Sequence, residues 1–276
     1  MLIAESPTQF HDKEWKLVLE KITVPSPIAC VPRPRLHALL EQSVLSCTST
    51  IITGRAGSGK TTLAIDFAEK SERKVAWYKV DAPESNLPIF FQYLISSIGF
   101  HRPGFGGYSL LPLLRAERGS HQISLLAEHF VFELERHSAA PLLIVIEDLH
   151  LVCDADWVVM FFRRLLPLLP SDVHLLITSR TIPPAPLWRM RSKQTLSVID
   201  EDILAFTRDE AIALFQRYGL TPEQANIALD HSRGRAAALS SLAATLHYAE
   251  TAVLAKKSPE VGESSKSSYG RFEGQG

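Results

Sequence analysis

Residues 51 to 62 read Ile51-Ile52-Thr53-Gly54-Arg55-Ala56-Gly57-Ser58-Gly59-Lys60-Thr61-Thr62. The stretch carries an apolar β-branched run into the pattern G-x-x-x-x-G-K-[ST]. Apolar residues at Leu63, Ile65, Phe67 and Ala68 then follow at helical spacing. A strand, a glycine-rich turn and a helix in that order make a phosphate-binding loop. Gly54, Gly57 and Gly59 let the backbone curl, so that successive N–H groups face an anion. Lys60 brings a point charge to the β- and γ-phosphates, and the Thr61 hydroxyl suits magnesium. The helix that opens at Lys60 adds the positive end of its dipole. The expected nucleotide-binding set is Gly54, Arg55, Ala56, Gly57, Ser58, Gly59, Lys60, Thr61 and Thr62.

Working outward, strands are expected at 49–53, 74–80, 142–146, 173–177 and 195–199, with helical periodicity between them. The unbroken apolar run 142–146 suits a parallel strand buried on both faces. Alternating strands and helices imply crossover units. The expected fold is therefore α/β: a mainly parallel five-stranded sheet flanked by helices, of the P-loop NTPase kind. From Thr207 the texture becomes helical only. Thr207-Arg208-Asp209-Glu210 and Thr221-Pro222-Glu223-Gln224 are capping-box patterns, and a third helix is expected over 235–249. The expected division is a helix (11–21) and proline-rich lead-in within 1–35, a nucleotide-binding domain 36–204, a helical lid 205–256, and a disordered tail 257–276. The loop holding Pro103-Gly104-Phe105-Gly106-Gly107 is expected to be a surface excursion.

The second chemical requirement is acid beside the metal. Leu142-Leu143-Ile144-Val145-Ile146 ends in Glu147-Asp148. Two carboxylates at a buried strand terminus suit magnesium coordination through water and polarisation of an attacking water. Thr61, Glu147 and Asp148 are thus the candidate metal ligands, and Lys60, Glu147, Asp148 and Arg180 the candidate catalytic set. Arg180 closes the run Val173 to Ile177 through Thr178-Ser179, where strand ends converge on the ligand crevice. There it is placed to contact a γ-phosphate. Arg33 and Arg35 precede the first core helix and are expected to line the nucleotide entrance. His150 reads as a structural or solvated histidine.

The 276 residues are 46% hydrophobic and 21% charged, with a formal net charge of -1. That balance offers no general attraction for DNA or an anionic membrane. Cys30, Cys47 and Cys153 lie too far apart for a metal motif or a disulfide framework and read as inert thiols. The N-terminal residues lack the basic and apolar blocks of a secretory signal, so a cytoplasmic location is expected.

The order of these motifs resembles the ATPase module of the STAND class of signalling NTPases. Within that class it is most similar to bacterial regulators of the maltose-activator type, the large LuxR-family ATP-dependent regulators. The resemblance runs from about Lys21 to Leu242. Besides the phosphate loop, it rests on Lys21-Ile22-Thr23-Val24-Pro25, Val31-Pro32-Arg33-Pro34-Arg35-Leu36, Ala76 to Asp81, Ile146 to His150, Thr178-Ser179-Arg180 and His231 to Ala236. It implies ATP or ADP with Mg2+ and slow hydrolysis. It further implies a lid set by the nucleotide, with self-association or a protein partner in the ATP state. Glu147 departs from the aspartate usual in that family, and Ala236 stands where many relatives carry proline. Because of Glu147, a non-hydrolysing nucleotide-binding interaction module stays open beside the slow ATPase. The resemblance does not extend to a DNA-binding domain, so no direct nucleic-acid contact is expected of this chain. A kinase would need an arginine-rich substrate lid, which the sequence does not offer.

Overall fold

Five runs of β-branched and apolar residues pair into one sheet: β1 (Ser49–Thr53), β2 (Lys74–Lys79), β3 (Leu142–Glu147), β4 (Val173–Ser179) and β5 (Leu196–Ile199). The strand order is β2-β3-β4-β1-β5, and every pairing is parallel. The computed structural model describes residues 17–26, 30–106, 110–115, 120–138, 140–193 and 195–257. β1, β3 and β4 are buried along their whole length, which is why each reads as a continuous run rather than an alternation. β4 lies between β1 and β3, pairing Ile52 with Thr178 and Ile146 with Ile177. That topology brings the end of β4 between the phosphate loop and the acidic pair.

Successive strand residues point to opposite faces, so the sheet feeds two cores. One holds Ile51, Ile144, Ile146, Leu175 and Ile177 beneath α3 (Leu87–Gly99), α4 (Leu110–Arg115), α5 (Ser120–Arg136) and α6 (Asp156–Leu165). Its centre is aromatic: the Phe91 and Phe161 rings meet edge-on at 4.8 Å. The other core sets Ile52, Leu143, Val145 and Leu176 against α1 (Pro34–Ser46) and α2 (Lys60–Lys70). Two short helices, α7 (Ala185–Trp188) and α8 (Glu201–Leu204), flank β5. α9 (Arg208–Gln216), α10 (Pro222–Ser232) and α11 (Ala236–Lys257) then build a separate small core that also takes in Val31. Both expected capping boxes form: Thr207 with Glu210 at α9, and Thr221 with Gln224 at α10.

Several local expectations change. The helix expected over 11–21 is, among the described residues, a single 3-10 turn at Leu19–Lys21; residues 11–16 lie outside them. The turn after β2 is a capped 3-10 segment, Ala82–Ser85, in which Asp81 and Glu84 cap each other reciprocally. Helix α6 stops at Leu165, because Pro167 removes a donor and leaves a 3-10 turn, Leu166–Leu168. The glycine-rich loop is anchored in its described part. Phe105 is buried 5.2 Å from the Phe130 ring, and the Gly106 N–H donates to Glu133 Oε2 at 3.3 Å. Helix α11 continues to Lys257, past its expected end at 249, and the tail 258–276 lies outside the described residues. The three cysteines are free thiols of intermediate exposure. No described helix is long and apolar enough to cross a membrane.

Candidate nucleotide site

The phosphate loop leaves β1 and enters α2 with Gly59 as N-cap at φ 96°, a left-handed conformation that glycine adopts without a Cβ clash. Lys60 is buried, and its Nζ donates to the carbonyls of Gly54 (2.6 Å) and Arg55 (3.0 Å), folding the ammonium over the loop. Burial lowers the Lys60 pKa, and the charge of Asp148 works against that shift.

Across the β1–β4–β3 ribbon, the Thr61 hydroxyl donates to Glu147 Oε1 at 2.7 Å. Glu147 is 3% exposed, and its second oxygen, Oε2, is buried with no hydrogen-bond partner. A buried carboxylate oxygen without a partner costs free energy unless something cationic or a donor reaches it. A hydroxyl and a carboxylate side by side, with one oxygen unsatisfied, fit a hard divalent cation that takes its remaining ligands from phosphate and water. No group of three His, Cys, Asp or Glu among the described residues is placed to hold a metal ion by itself.

Asp148 follows in the left-handed region at φ 59°, ψ 36°, unusual for a residue with a side chain. Its backbone N–H donates to Thr178 Oγ1 at 3.0 Å, so β4 holds the acidic turn in place. His150 Nδ1 lies 3.7 Å from Asp148 Oδ1, and burial first of all lowers the His150 pKa. Arg180, one residue past β4, is exposed; its charge opposes protonation of both Lys60 and His150. Its guanidinium makes no ion pair with a described residue. The structure thus gathers the phosphate loop, Lys60, Thr61, Glu147, Asp148 and Arg180 at the carboxyl ends of the central strands.

Beside the loop opens a cavity of about 590 Å³, lined by Val31, Thr62, Asp66, Phe206, Leu214 and Tyr218 among others. That volume suits a small-molecule ligand. Of the two lead-in arginines, Arg33 borders the cavity as expected and Arg35 does not. Arg33 borders the cavity, but its Nη2 donates to Leu204 O (2.7 Å), Ala205 O (3.0 Å) and Glu210 Oε2 (2.9 Å). Arg35 donates to Ile203 O (2.8 Å), Ala205 O (3.1 Å) and Glu210 Oε2 (3.3 Å), and it does not line the cavity. Both guanidinium groups satisfy the carbonyl end of α8 and the first turn of α9, as arginines do at helix C-termini. Both brace the helical unit, and Arg33 does so from the cavity wall.

Three contacts have no signature in the local sequence. Thr178 supports Asp148. Glu201 accepts from the Arg55 N–H (3.1 Å) and Nε (2.9 Å). The Ala237 N–H, at the start of α11, donates to Gly57 O at 2.9 Å. All three join positions that only the folded topology brings together.

No protein-family model matches the chain. The HTH-type transcriptional regulator MalT of Serratia proteamaculans is 29% identical over 220 residues, and that of Cronobacter sakazakii is 30% identical over 220 residues. In each case the match covers 77% of this chain and 23% of the regulator, so the chain spans about a quarter of the length of these relatives. Among solved structures, a signal transduction ATPase with numerous domains (STAND) carrying a tetratricopeptide repeat sensor, from Pyrococcus horikoshii, superposes with a TM-score of 0.51 at 18% identity. That superposition covers 77% of this chain and 30% of the other. The fold is that of a P-loop NTPase, shared with that STAND ATPase, and over 220 residues the chain is similar to the regulator MalT.

Proposed function

We propose that the chain is an ATP/ADP-binding, magnesium-dependent signalling switch with slow ATP hydrolysis, the nucleotide-binding module of a regulator. The observation that carries this reading is the Thr61–Glu147 contact with its unsatisfied Oε2, beside a complete phosphate loop. In this reading the loop N–H groups and Lys60 bind the phosphates, and Lys60 exchanges its two loop carbonyls for phosphate oxygens. Thr61 would hold the magnesium, with Glu147 and Asp148 contributing through water. When bound, the ion neutralises charge on the phosphate oxygens. Asp148, fixed through Thr178, orients the attacking water, and Arg180 reads the γ-phosphate. The apolar cavity by Val31, Phe206 and Leu214 takes the base and sugar. Residues 36–204 form the nucleotide domain and 205–256 the lid, whose position the nucleotide sets. The ATP state favours self-association or a protein partner, in the cytoplasm, without direct contact to nucleic acid by this chain.

Steady-state phosphate release by the native chain and a Lys60→Ala variant tests the reading. Native turnover at least about tenfold above the variant supports hydrolysis. Tight Mg-nucleotide binding with equal, background turnover would favour the non-hydrolysing interaction module, which the longer Glu147 side chain makes the second reading. Failure of the native chain to bind Mg-ATP or Mg-ADP would sink both.

A further inference from the structure

Helix α11 begins directly on the phosphate loop. The Ala237 N–H donates to Gly57 O at 2.9 Å, and a Cβ built on Gly57 would stand 2.7 Å from the Ala237 Cβ. Ala236, Ala237 and Ser240 line the same cavity as Gly57, Gly59 and Lys60. The residue just before the helix is Arg235, whose carbonyl accepts from the Leu239 N–H. Its Nε and Nη2 lie 3.7 Å from that same Cβ position on Gly57. The guanidinium therefore sits against the loop that the sequence assigns to phosphate. It makes no hydrogen bond or ion pair with a described residue. Its charge acts on Glu201, whose carboxylate lies below its ordinary range, first because the Arg55 N–H donates to it, with Arg235 a smaller contributor. Glu201 is already engaged with Arg55.

An unpaired guanidinium held beside a nest of inward N–H groups is suited to a phosphate oxygen, which it can meet with two parallel donors. Arg235 belongs to the helical unit, whereas Lys60 and Arg180 belong to the sheet. We propose that Arg235 binds the terminal phosphate of a nucleoside triphosphate, and so lets the helical unit distinguish triphosphate from diphosphate. This rests on the nucleotide-binding reading above and extends it to a residue outside the phosphate loop. The consequence is energetic: a ligand shifts a two-position element only by contacts that differ between its two positions, and Arg235 supplies one that needs the last phosphate. Glu201 competes for the same charge and tempers the discrimination.

The test measures affinities of the native chain, Arg235→Ala, Arg235→Lys and Glu201→Gln for the β,γ-imido analogue of ATP and for ADP, with magnesium, by titration calorimetry. Arg235→Ala is expected to weaken the triphosphate about tenfold or more while changing ADP by less than about threefold. Arg235→Lys should recover part of that loss, and Glu201→Gln should tighten the triphosphate. The thermal midpoint of ligand-free Arg235→Ala should match the native value, since the side chain is exposed. Equal triphosphate affinity in Arg235→Ala and native chain would overturn the proposal. So would a parallel loss of both nucleotides with a lowered midpoint, because that marks a structural role. A native chain that binds neither nucleotide would overturn the nucleotide reading itself, an outcome told apart by the native titration alone.

Discussion

His174 sits inside β4 at 1% exposure, where a run of apolar neighbours conceals it in the sequence. Its Nδ1–H donates to Cys47 O at 3.2 Å, and its Nε2 accepts from the Thr50 hydroxyl at 2.9 Å, so the ring is satisfied as a neutral imidazole. Burial, with the Arg73 charge adding to it, lowers its pKa from 6.5 to about 4. A histidine depressed in this way contributes stability that is fully present above pH 6.5 and is lost as pH falls towards 4, where the folded chain must take up a proton in its core. The shift corresponds to about 3 kcal/mol. Urea unfolding at stepped pH should show the native chain losing that much more stability between pH 7 and pH 4 than His174→Gln, which starts lower but carries no titrating ring. Parallel slopes would mean that the site hydrates or relaxes on protonation. Residues of this kind are hard to find from sequence. Glu147 and Lys60 announce themselves by motif, but His174 and Thr178 owe their roles to partners on other strands.

At the scale of elements, the joint between sheet and helical unit turns on one carboxylate. Glu210 caps the Thr207 N–H at 3.0 Å and accepts from Arg33 and Arg35. Burial works to raise its pKa, but the Arg33 hydrogen bond, the Thr207 N–H and the Arg33 charge outweigh it and leave the carboxyl below its ordinary range. The Arg33 side chain is 10% exposed and also packs its guanidinium 4.2 Å over the Phe206 ring. Removing its counter-charge strands a buried cation, so Glu210→Ala should cost about 3 kcal/mol in denaturant unfolding. Arg35→Ala, at a side chain 38% exposed, should cost under about 1 kcal/mol. Similar costs for both would show that the cap, not the charge pair, carries the joint. The sequence displayed much of this architecture. The five strands were legible because buried parallel strands read as apolar runs, and the starts of α9 and α10 because capping boxes are local. The arginine clamp was not legible, because Arg33 and Glu210 are 177 residues apart and helix capping by a distant side chain leaves no periodic trace. Proximity of Arg33 and Arg35 to the first core helix suggested an entrance role, whereas the carbonyls at the end of α8 compete more strongly for their donors.

On the scale of the whole molecule, the two sheet cores and the helical core differ in what holds them. The sheet cores interlock large side chains, with Phe90, Phe91, Phe130, Trp157 and Phe161 on one face alone. The helical core is built on Ala211, Ala225, Ala228 and Ala243 beside Leu214, Phe215, Leu220 and Leu239. Alanines bury little area, and each apolar Å² contributes only about 25 cal/mol, so this unit is held weakly by its own packing. Its further supports include the Arg33–Glu210 clamp, the Phe206 N–H to Gly234 O bond at 2.8 Å and the Ala237 N–H on Gly57 O. The cavity beside the phosphate loop is lined from both parts, and any ligand that touches both sides must stabilise this arrangement by its differential affinity. Hydrogen exchange followed by mass spectrometry should therefore show residues 208–252 exchanging faster than β1, β3 and β4 in the ligand-free chain. Saturating Mg-ADP should slow exchange in 208–252 markedly and leave the sheet nearly unchanged; at a ligand excess of 100 times Kd, the protection corresponds to about 2.7 kcal/mol. If sheet and helical unit exchanged together with or without nucleotide, the two would form one cooperative unit. A lid responsive to the nucleotide would then have no independent equilibrium to shift, because an element can act as a switch only if it opens at lower cost than the scaffold that carries it.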